Sequence, residues 1–185
     1  MAEAERHPLV VTDSSALIAL CGIGHVPLLE DLFERTIVPV EVWQELADKV
    51  DAPEPGLILP LRGLNVLPPR GPAPAEASTL GSGERSAIAI ALEHPGAWLL
   101  VEELRARKIA RRLGLDVRGT LAVLVEAKRR GLVPAIGPLV ERLTANGVWL
   151  GPALIAVRRV VLASWMPVVF SGVARDLSPR RQRAS

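Results

Sequence analysis

Short apolar runs alternate with longer amphipathic stretches along most of the chain. The runs 9–12, 36–38 and 97–101 are rich in valine, isoleucine and leucine, and they predict buried strands. A further short strand fits residues 64–67, and an edge or terminal strand fits residues 116–118. Strands that alternate with helices through short turns are typical of an open, mainly parallel α/β sheet with helices on both faces.

The amphipathic stretches predict the helices. Pro39 is placed at the first position of the third helix, where its missing N–H costs nothing. Residues 52–76 hold seven prolines and three glycines and predict a loop around the short strand. The predicted helical segments are 16–20 with Asp13, Ser14 and Ser15 as candidate N-caps, 26–33, 39–50, 84–93, 102–113, 120–130, 135–145 and 152–164.

Length and composition limit the possible classes of protein. The 185 residues suit a single domain, and the 49% hydrophobic content excludes intrinsic disorder of the whole chain. Cys21 is the only cysteine and there are three histidines, so a disulfide scaffold and the common closed zinc sites are excluded. A bound metal would be held mostly by oxygen. We expect one domain over residues 1–160 and a C-terminal extension over 161–185 that is basic and flexible at its end.

The net charge of +2 is unevenly distributed. Residues 175–185 carry four arginines and one aspartate, which leaves the rest of the chain at −1 and predicts no broad basic surface. The charge-free stretch 160–174 has 15 residues, fewer than the roughly 20 of a membrane-spanning helix. The charged residues before the first apolar run do not suit a signal peptide. We therefore expect no membrane partner and a cytoplasmic location.

Several common catalytic motifs are missing. Gly22-Ile23-Gly24 lacks the third glycine of a dinucleotide-binding fingerprint, and no Walker loop occurs. Gly81-Ser82-Gly83 does not have the spacing of a nucleophile elbow. Chemistry based on carboxylates remains the main candidate.

Acidic residues stand where predicted strands end or predicted helices begin. Asp13 follows the first strand, and Glu102 and Glu103 follow the strand before the fifth predicted helix. Glu84 opens a helix, and Glu45 lies within the helix after the second strand. Carboxylates that converge on the carboxyl edge of a sheet repel each other unless a hard cation neutralises them. Such a cluster would suit Mg²⁺ or Mn²⁺ and the hydrolysis of a phosphodiester.

Each acid also has a purely structural explanation. Asp13 suits a helix N-cap. The glutamates at helix starts suit the positive end of the helix dipole. Glu45 suits an i,i+4 ion pair with Lys49 on a solvated face. Periodicity alone leaves both readings open.

The order of these segments makes the chain resemble a PIN domain, and within that group the branch related to VapC toxins that was formerly catalogued as a domain of unknown function. The resemblance spans about residues 9–155. The segments that carry it are Val11-Thr12-Asp13-Ser14-Ser15 with Ala16 to Leu20, Ile37-Val38-Pro39 with Val42 and Glu45, Gly83 to Ala89, Leu99 to Val101 with Glu102, Glu103, Ala106, Arg107 and Ala110, Gly114-Leu115, Gly119-Thr120-Leu121, and Ala127 to Leu132.

This resemblance implies a three-layer α/β/α fold and an endoribonuclease that depends on Mg²⁺ or Mn²⁺. By position, the implied catalytic and metal-binding residues are Asp13, Glu45, Glu84 and Glu102. The branch usually carries Asp at the fourth position, and Glu102 keeps the charge but adds a methylene. The implied supporting residues are Ser14 or Ser15 as a hydrogen-bond donor, Thr120, and Arg107 as a phosphate contact, unless Arg107 pairs with Glu103.

The resemblance also implies partners. RNA would be the substrate, a homodimer is the expected assembly, and a small protein antitoxin is expected if the chain is the toxin of a toxin–antitoxin pair. Two rival functions stay open: a catalytically silent PIN-like module that binds RNA or protein, and a structural dimerisation domain.

Overall fold

The computed structural model describes residues 6–48 and 63–147, and in these ranges five strands form one sheet. All four strand pairings are parallel, and the order across the sheet is β3-β2-β1-β4-β5. The strands are β1 (His7–Thr12), β2 (Phe33–Pro39), β3 (Leu64–Leu67), β4 (Trp98–Leu100) and β5 (Asp116–Arg118).

Seven α-helices connect and cover these strands within the same ranges, together with one 3₁₀ turn at Ala75–Ala77. The helices are α1 (Ser14–Gly22), α2 (Leu28–Leu32), α3 (Val40–Asp48), α4 (Ser82–Glu93), α5 (Leu104–Arg112), α6 (Thr120–Arg129) and α7 (Gly137–Ala145).

Strand residues alternate between two separate hydrophobic cores. Val10 and Leu100 pack into a core with α1, α2, α3, α6 and α7. Val11 and Leu99 pack into a second core with α4 and α5 on the opposite face. Because successive side chains of a strand point to opposite faces, a strand buried on both sides must be apolar at every position. This confirms the expected three-layer α/β/α architecture.

The second strand and the helices beside it differ from the prediction. Pro39 was expected to begin a helix, but it is the last residue of β2 and is paired in register with Leu67. Proline has no backbone N–H, and this absence is tolerated at the end of a strand. Helix α3 begins one residue later. Phe33 was expected in a helix, but it begins β2, where its ring packs against Trp98 at 5.2 Å between centroids.

The strand order creates a crevice between β1 and β4. The chain builds β1, β2 and β3 outward in one direction and then returns to place β4 and β5 on the other side of β1. At such a switch point the connections leave the carboxyl ends of neighbouring strands in opposite directions, which is where open α/β sheets bind ligands.

Some predicted features lie outside the described residues. They are the helix at 152–164, the domain boundary at 160/161 and the basic end of the chain. Among the helices of residues 6–48 and 63–147, none has the length and apolar character needed to cross a bilayer.

Candidate functional site

The register of three neighbouring strands places the predicted site residues at one edge of the sheet. Thr12 pairs with Leu100, and Leu100 pairs with Arg118. The alignment continues past the strand ends, because the backbone N–H of Asp13 donates to the Leu100 carbonyl at 3.0 Å. Asp13 follows Thr12 directly, and Glu102 and Thr120 lie two residues beyond Leu100 and Arg118, so all three stand just past the aligned strand ends.

Asp13 lies at the centre of this edge and is 2% exposed. Its Oδ1 accepts the Ala16 N–H at 2.8 Å and caps α1, while its Oδ2 is buried and has no hydrogen-bond partner among the described residues. Burial raises the pKa of this carboxyl to about 7; the Ala16 N–H and, more weakly, the nearby backbone N–H of Glu102 lower it, while the negative charges of Glu102 and Glu84 raise it. Asp13 is therefore both a helix cap and a buried carboxyl group whose Oδ2 forms no hydrogen bond within the described residues.

Glu45 reaches from α3 to the start of α4. Its carboxylate accepts the Ser14 hydroxyl at 3.0 Å, the Gly83 N–H at 3.0 Å and the Ser82 hydroxyl at 3.3 Å. A Cβ on Gly83 would lie 2.7 Å from Glu45 Oε1, so only glycine allows this approach. The expected pair of Glu45 with Lys49 involves a residue outside the described ranges.

Glu84 interacts electrostatically with Asp13, Glu45 and Glu103. Its Oε2 accepts the Gly81 N–H at 3.1 Å at the start of α4. Partial burial raises the pKa of Glu84, and the charges of Glu103 and Glu45 add to this rise, while the Gly81 N–H and Arg105 lower it. Glu84 therefore lies within electrostatic reach of carboxylates from both sides of the crevice.

Glu102 accepts the Thr120 N–H at 2.5 Å at the start of α6 and lies 3.7 Å from Nη1 of Arg107. A Cβ on Gly119 would lie 3.1 Å from Glu102 Oε2 and 3.0 Å from Arg107 Nη1, which leaves little room for a side chain there. The hydroxyl of Thr120 is buried and has no partner among the described residues.

These carboxylates share one physical device, the N-terminus of a helix. Asp13 binds the first turn of α1, Glu45 and Glu84 bind that of α4, and Glu102 binds that of α6. Unpaired N–H groups and the positive end of the dipole stabilise a carboxylate there. The fold thereby tolerates several like charges at one edge.

The oxygen atoms of the candidate site are of the kind that binds a hard cation, but their side chains are not arranged around a common point. The available ligands are carboxylate and hydroxyl oxygens, and Asp13 Oδ2 is a buried oxygen without a partner in the described chain. No three His, Cys, Asp or Glu side chains of residues 6–48 and 63–147 stand together in a metal-holding group. A cation would have to compete with the helix N–H groups for Glu45, Glu84 and Glu102.

Of the residues expected to support the acids, some contact them and others do not. Ser14 is buried and donates to Glu45, whereas Ser15 is exposed and makes no side-chain hydrogen bond within the described chain. The suggested pair of Arg107 with Glu103 is wrong, because Arg107 contacts Glu102 instead. Glu103 caps α5 by accepting the Ala106 N–H at 2.6 Å.

Sequence reasoning missed the close contacts of Gly83 and Ser82 with Glu45. The only signal in the sequence was a glycine placed directly before Glu84 at a helix start. That pattern predicts a tight approach but does not name the side chain that approaches.

Comparisons with known proteins bear on the family. A family model described as a PIN domain matches residues 9–162. The fold is similar to the solved structure of a PilT N-terminus domain protein from the hyperthermophilic archaeon Sulfolobus solfataricus P2. That similarity has a TM-score of 0.51 and 15% sequence identity, and it covers 64% of this chain and 92% of the other. A search of curated proteins found no match.

Proposed function

Because this chain belongs to the PIN-domain family, which commonly includes metal-dependent nucleases, we propose that it is a divalent-metal-dependent endoribonuclease. In this proposal Asp13, Glu45, Glu84 and Glu102 hold Mg²⁺ or Mn²⁺, and the substrate is an RNA phosphodiester. The match to the family model covers most of the chain and includes all four acids.

The buried Asp13 carboxyl is the observation that carries the proposal. Its Oδ2 has no partner among the described residues, and Glu102 and Glu84 lie close enough to raise its pKa. A buried polar atom without a partner costs roughly 1–3 kcal/mol, so its retention calls for an explanation. A hard dication suits a carboxylate oxygen that has further carboxylates within electrostatic reach.

The residues around the four acids have separate tasks in this mechanism. Ser14 orients the carboxylate of Glu45, and the Thr120 N–H orients that of Glu102. A cation held by these acids would supply positive charge for the phosphodiester and would lower the pKa of a bound water molecule. Arg107 is then available as a phosphate contact whenever Glu102 is engaged elsewhere.

The Asp13→Asn variant tests the proposal. The amide oxygen can still cap α1, so the protein should fold, while loss of the charge should abolish Mn²⁺-dependent cleavage of RNA. Cleavage of a labelled oligoribonucleotide is measured with Mn²⁺ and with a chelator. Asp31→Asn, at an exposed position in α2, is the matched control and should retain full activity. Equal activity of Asp13→Asn and the unmodified protein would refute the assignment.

A catalytically silent PIN-like module that binds RNA or protein is the second candidate. The observation in its favour is that helix N–H groups, and Arg107 at Glu102, already engage the carboxylates. This candidate predicts RNA binding that needs no cation, and no metal-dependent cleavage under any condition tested.

The finer biological setting is also proposed. A place in the VapC-like branch would make the chain a toxin inhibited by a small protein antitoxin, acting in the cytoplasm as a homodimer. The sequence resemblance supports this setting. Growth arrest on expression of the active protein, and its absence with Asp13→Asn, would test the toxin role, and light scattering during gel filtration would test the dimer.

A further inference from the structure

Helix α5 concentrates basic charge beside the candidate site. Five of the 22 lysines and arginines of the chain lie within its nine residues, which include no acidic residue. Ala106 and Ala110 are buried against the sheet, so the opposite side of the helix faces solvent. The exposed basic residues form what we call the basic strip: Arg105, Lys108, Arg111 and Arg112.

The charges of this strip are largely uncompensated. Lys108, Arg111 and Arg112 form no ion pair with any residue of the described chain, and Arg105 is the member nearest the site, where it acts on Glu84. The basic residues at the end of α6 differ, because Glu126 binds Arg129 at 2.7 Å. An anion that approaches Lys108, Arg111 or Arg112 therefore meets a charge with no ion-pair partner in the described chain.

The strip begins at the candidate site and leads away from it. Glu102 and Glu103 immediately precede α5, and Arg107 of the same helix lies 3.7 Å from Glu102. Nine residues of helix extend about 13 Å at 1.5 Å per residue, which is roughly the rise of four stacked nucleotides. A strand with one phosphate at the carboxylates could place its next phosphates along the strip.

We propose that the basic strip of α5 binds the phosphate backbone of an RNA strand and guides it to the candidate site. The choice of RNA rests on the proposed function, while the binding of a polyanion rests on the strip alone. The expectation of no broad basic surface stays a prediction, and the strip is compatible with it because a near-zero net charge can conceal a local excess of basic residues on α5.

The surface favours a nucleic-acid backbone over an acidic protein. A stable protein interface needs a buried apolar centre surrounded by a polar rim. Leu104, 51% exposed, is the only large exposed apolar residue on α5. Basic charge along an exposed helix face, without an apolar centre, suits sequence-independent binding of a strand.

The test uses the full chain carrying Asp13→Asn, with a chelator present, so that binding is measured without cleavage. Lys108, Arg111 and Arg112 are replaced together by glutamine, and binding of a fluorescent single-stranded oligoribonucleotide is followed by anisotropy at several salt concentrations. We expect affinity at low salt to fall about tenfold or more. The slope of log affinity against log salt should shrink by about 2, because each phosphate that a basic side chain neutralises on a single strand adds roughly 0.7 to the slope.

Arg142→Gln is the matched control. Arg142 is an exposed arginine on α7, which packs on the opposite face of the sheet, and its replacement should leave affinity and slope unchanged. An unchanged slope in the triple variant overturns the proposal. An equal fall in affinity in the control overturns it too, and so does binding of poly-glutamate but not RNA, which would assign the strip to an acidic protein partner.

The outcome is separable from that of the proposed function. If RNA binding depends on the basic strip but the unmodified protein shows no metal-dependent cleavage, the proposal for the strip is supported and the proposed nuclease activity is refuted. If the unmodified protein cleaves RNA in a metal-dependent way but the triple variant binds RNA with unchanged affinity and salt dependence, the nuclease activity is supported and the proposal for the strip is refuted.

Discussion

At the scale of single residues, Asp13 combines two tasks in one carboxyl group. Oδ1 caps α1 through the Ala16 N–H, and Oδ2 is buried without a partner in the described chain. Because the cap needs only one oxygen acceptor, it does not determine the state of the other oxygen. Asp13 can therefore serve both as a helix cap and as a metal ligand, although the sequence alone presents these two roles as alternatives.

The raised pKa of Asp13 predicts a particular dependence of stability on pH. Between about pH 4 and about pH 7 the folded protein retains a proton that the unfolded chain has lost. The free energy of unfolding should therefore fall as pH rises through this window, by up to about 4 kcal/mol in the absence of metal. Thermal unfolding of the unmodified protein and of Asp13→Asn, compared at each pH with a chelator, measures the effect. Parallel curves for the two proteins would contradict it.

Ser14 and Ser15 provide a matched pair of neighbouring hydroxyl groups. Ser14 donates to Glu45, whereas Ser15 is exposed. Removing a hydrogen bond to a charged group costs about 1.5 kcal/mol, so Ser14→Ala should weaken Mn²⁺ binding about tenfold. Ser15→Ala should leave it unchanged. Calorimetric titration with Mn²⁺ compares the two variants, and equal effects would remove Ser14 from the site.

At the scale of elements, the helix N-termini make the acidic edge possible. Carboxylates that would repel one another in isolation each accept an N–H from the first turn of a helix. In a parallel sheet the helix that follows a strand begins at the carboxyl edge, so several N-termini meet there. The fold class thus explains why acids can collect at this edge.

Gly83→Ala tests this arrangement. Alanine normally stabilises a helix by roughly 0.5–1 kcal/mol relative to glycine. Here its Cβ would lie 2.7 Å from Glu45 Oε1, so the flexible carboxylate should be displaced from the Gly83 N–H. We expect near-normal thermal stability with Mn²⁺ binding weakened at least tenfold.

Gly71→Ala serves as the control for Gly83→Ala. A Cβ at Gly71 meets no atom within 4 Å, and the residue does not have a positive φ. Its Mn²⁺ affinity should match that of the unmodified protein. Normal Mn²⁺ binding by Gly83→Ala would show that the close contact between Gly83 and Glu45 is not needed for binding of the cation.

At the scale of the whole molecule, the site depends on the order of strands. Glu102 and Asp13 border the crevice because β4 returns to the side of β1 opposite to β2. The two flanking cores fix both strands from opposite faces, which holds the acidic edge on a rigid support.

A cation that binds the folded state alone must stabilise the whole molecule. At a free Mn²⁺ concentration 100 times its dissociation constant, the gain is about 2.7 kcal/mol. For a chain of this size that corresponds to a rise in Tm of roughly 5–10 °C. Scanning calorimetry with Mn²⁺ and with a chelator measures it. Glu84→Gln should abolish the rise, and a Tm indifferent to Mn²⁺ would favour the silent module.

The sequence by itself determined the layers of the fold and the residues proposed for the candidate site. Apolar runs such as residues 9–12 predict buried strands, and Asp13 marks the place where the first strand ends, because hydrophobic patterning and capping are local properties. Only the tertiary structure decided which groups meet. Ser14 and Glu45 are 31 residues apart, Glu45 and Gly83 are 38 apart, and Glu102 and Thr120 are 18 apart. Such contacts depend on strand order and register, which local periodicity does not encode.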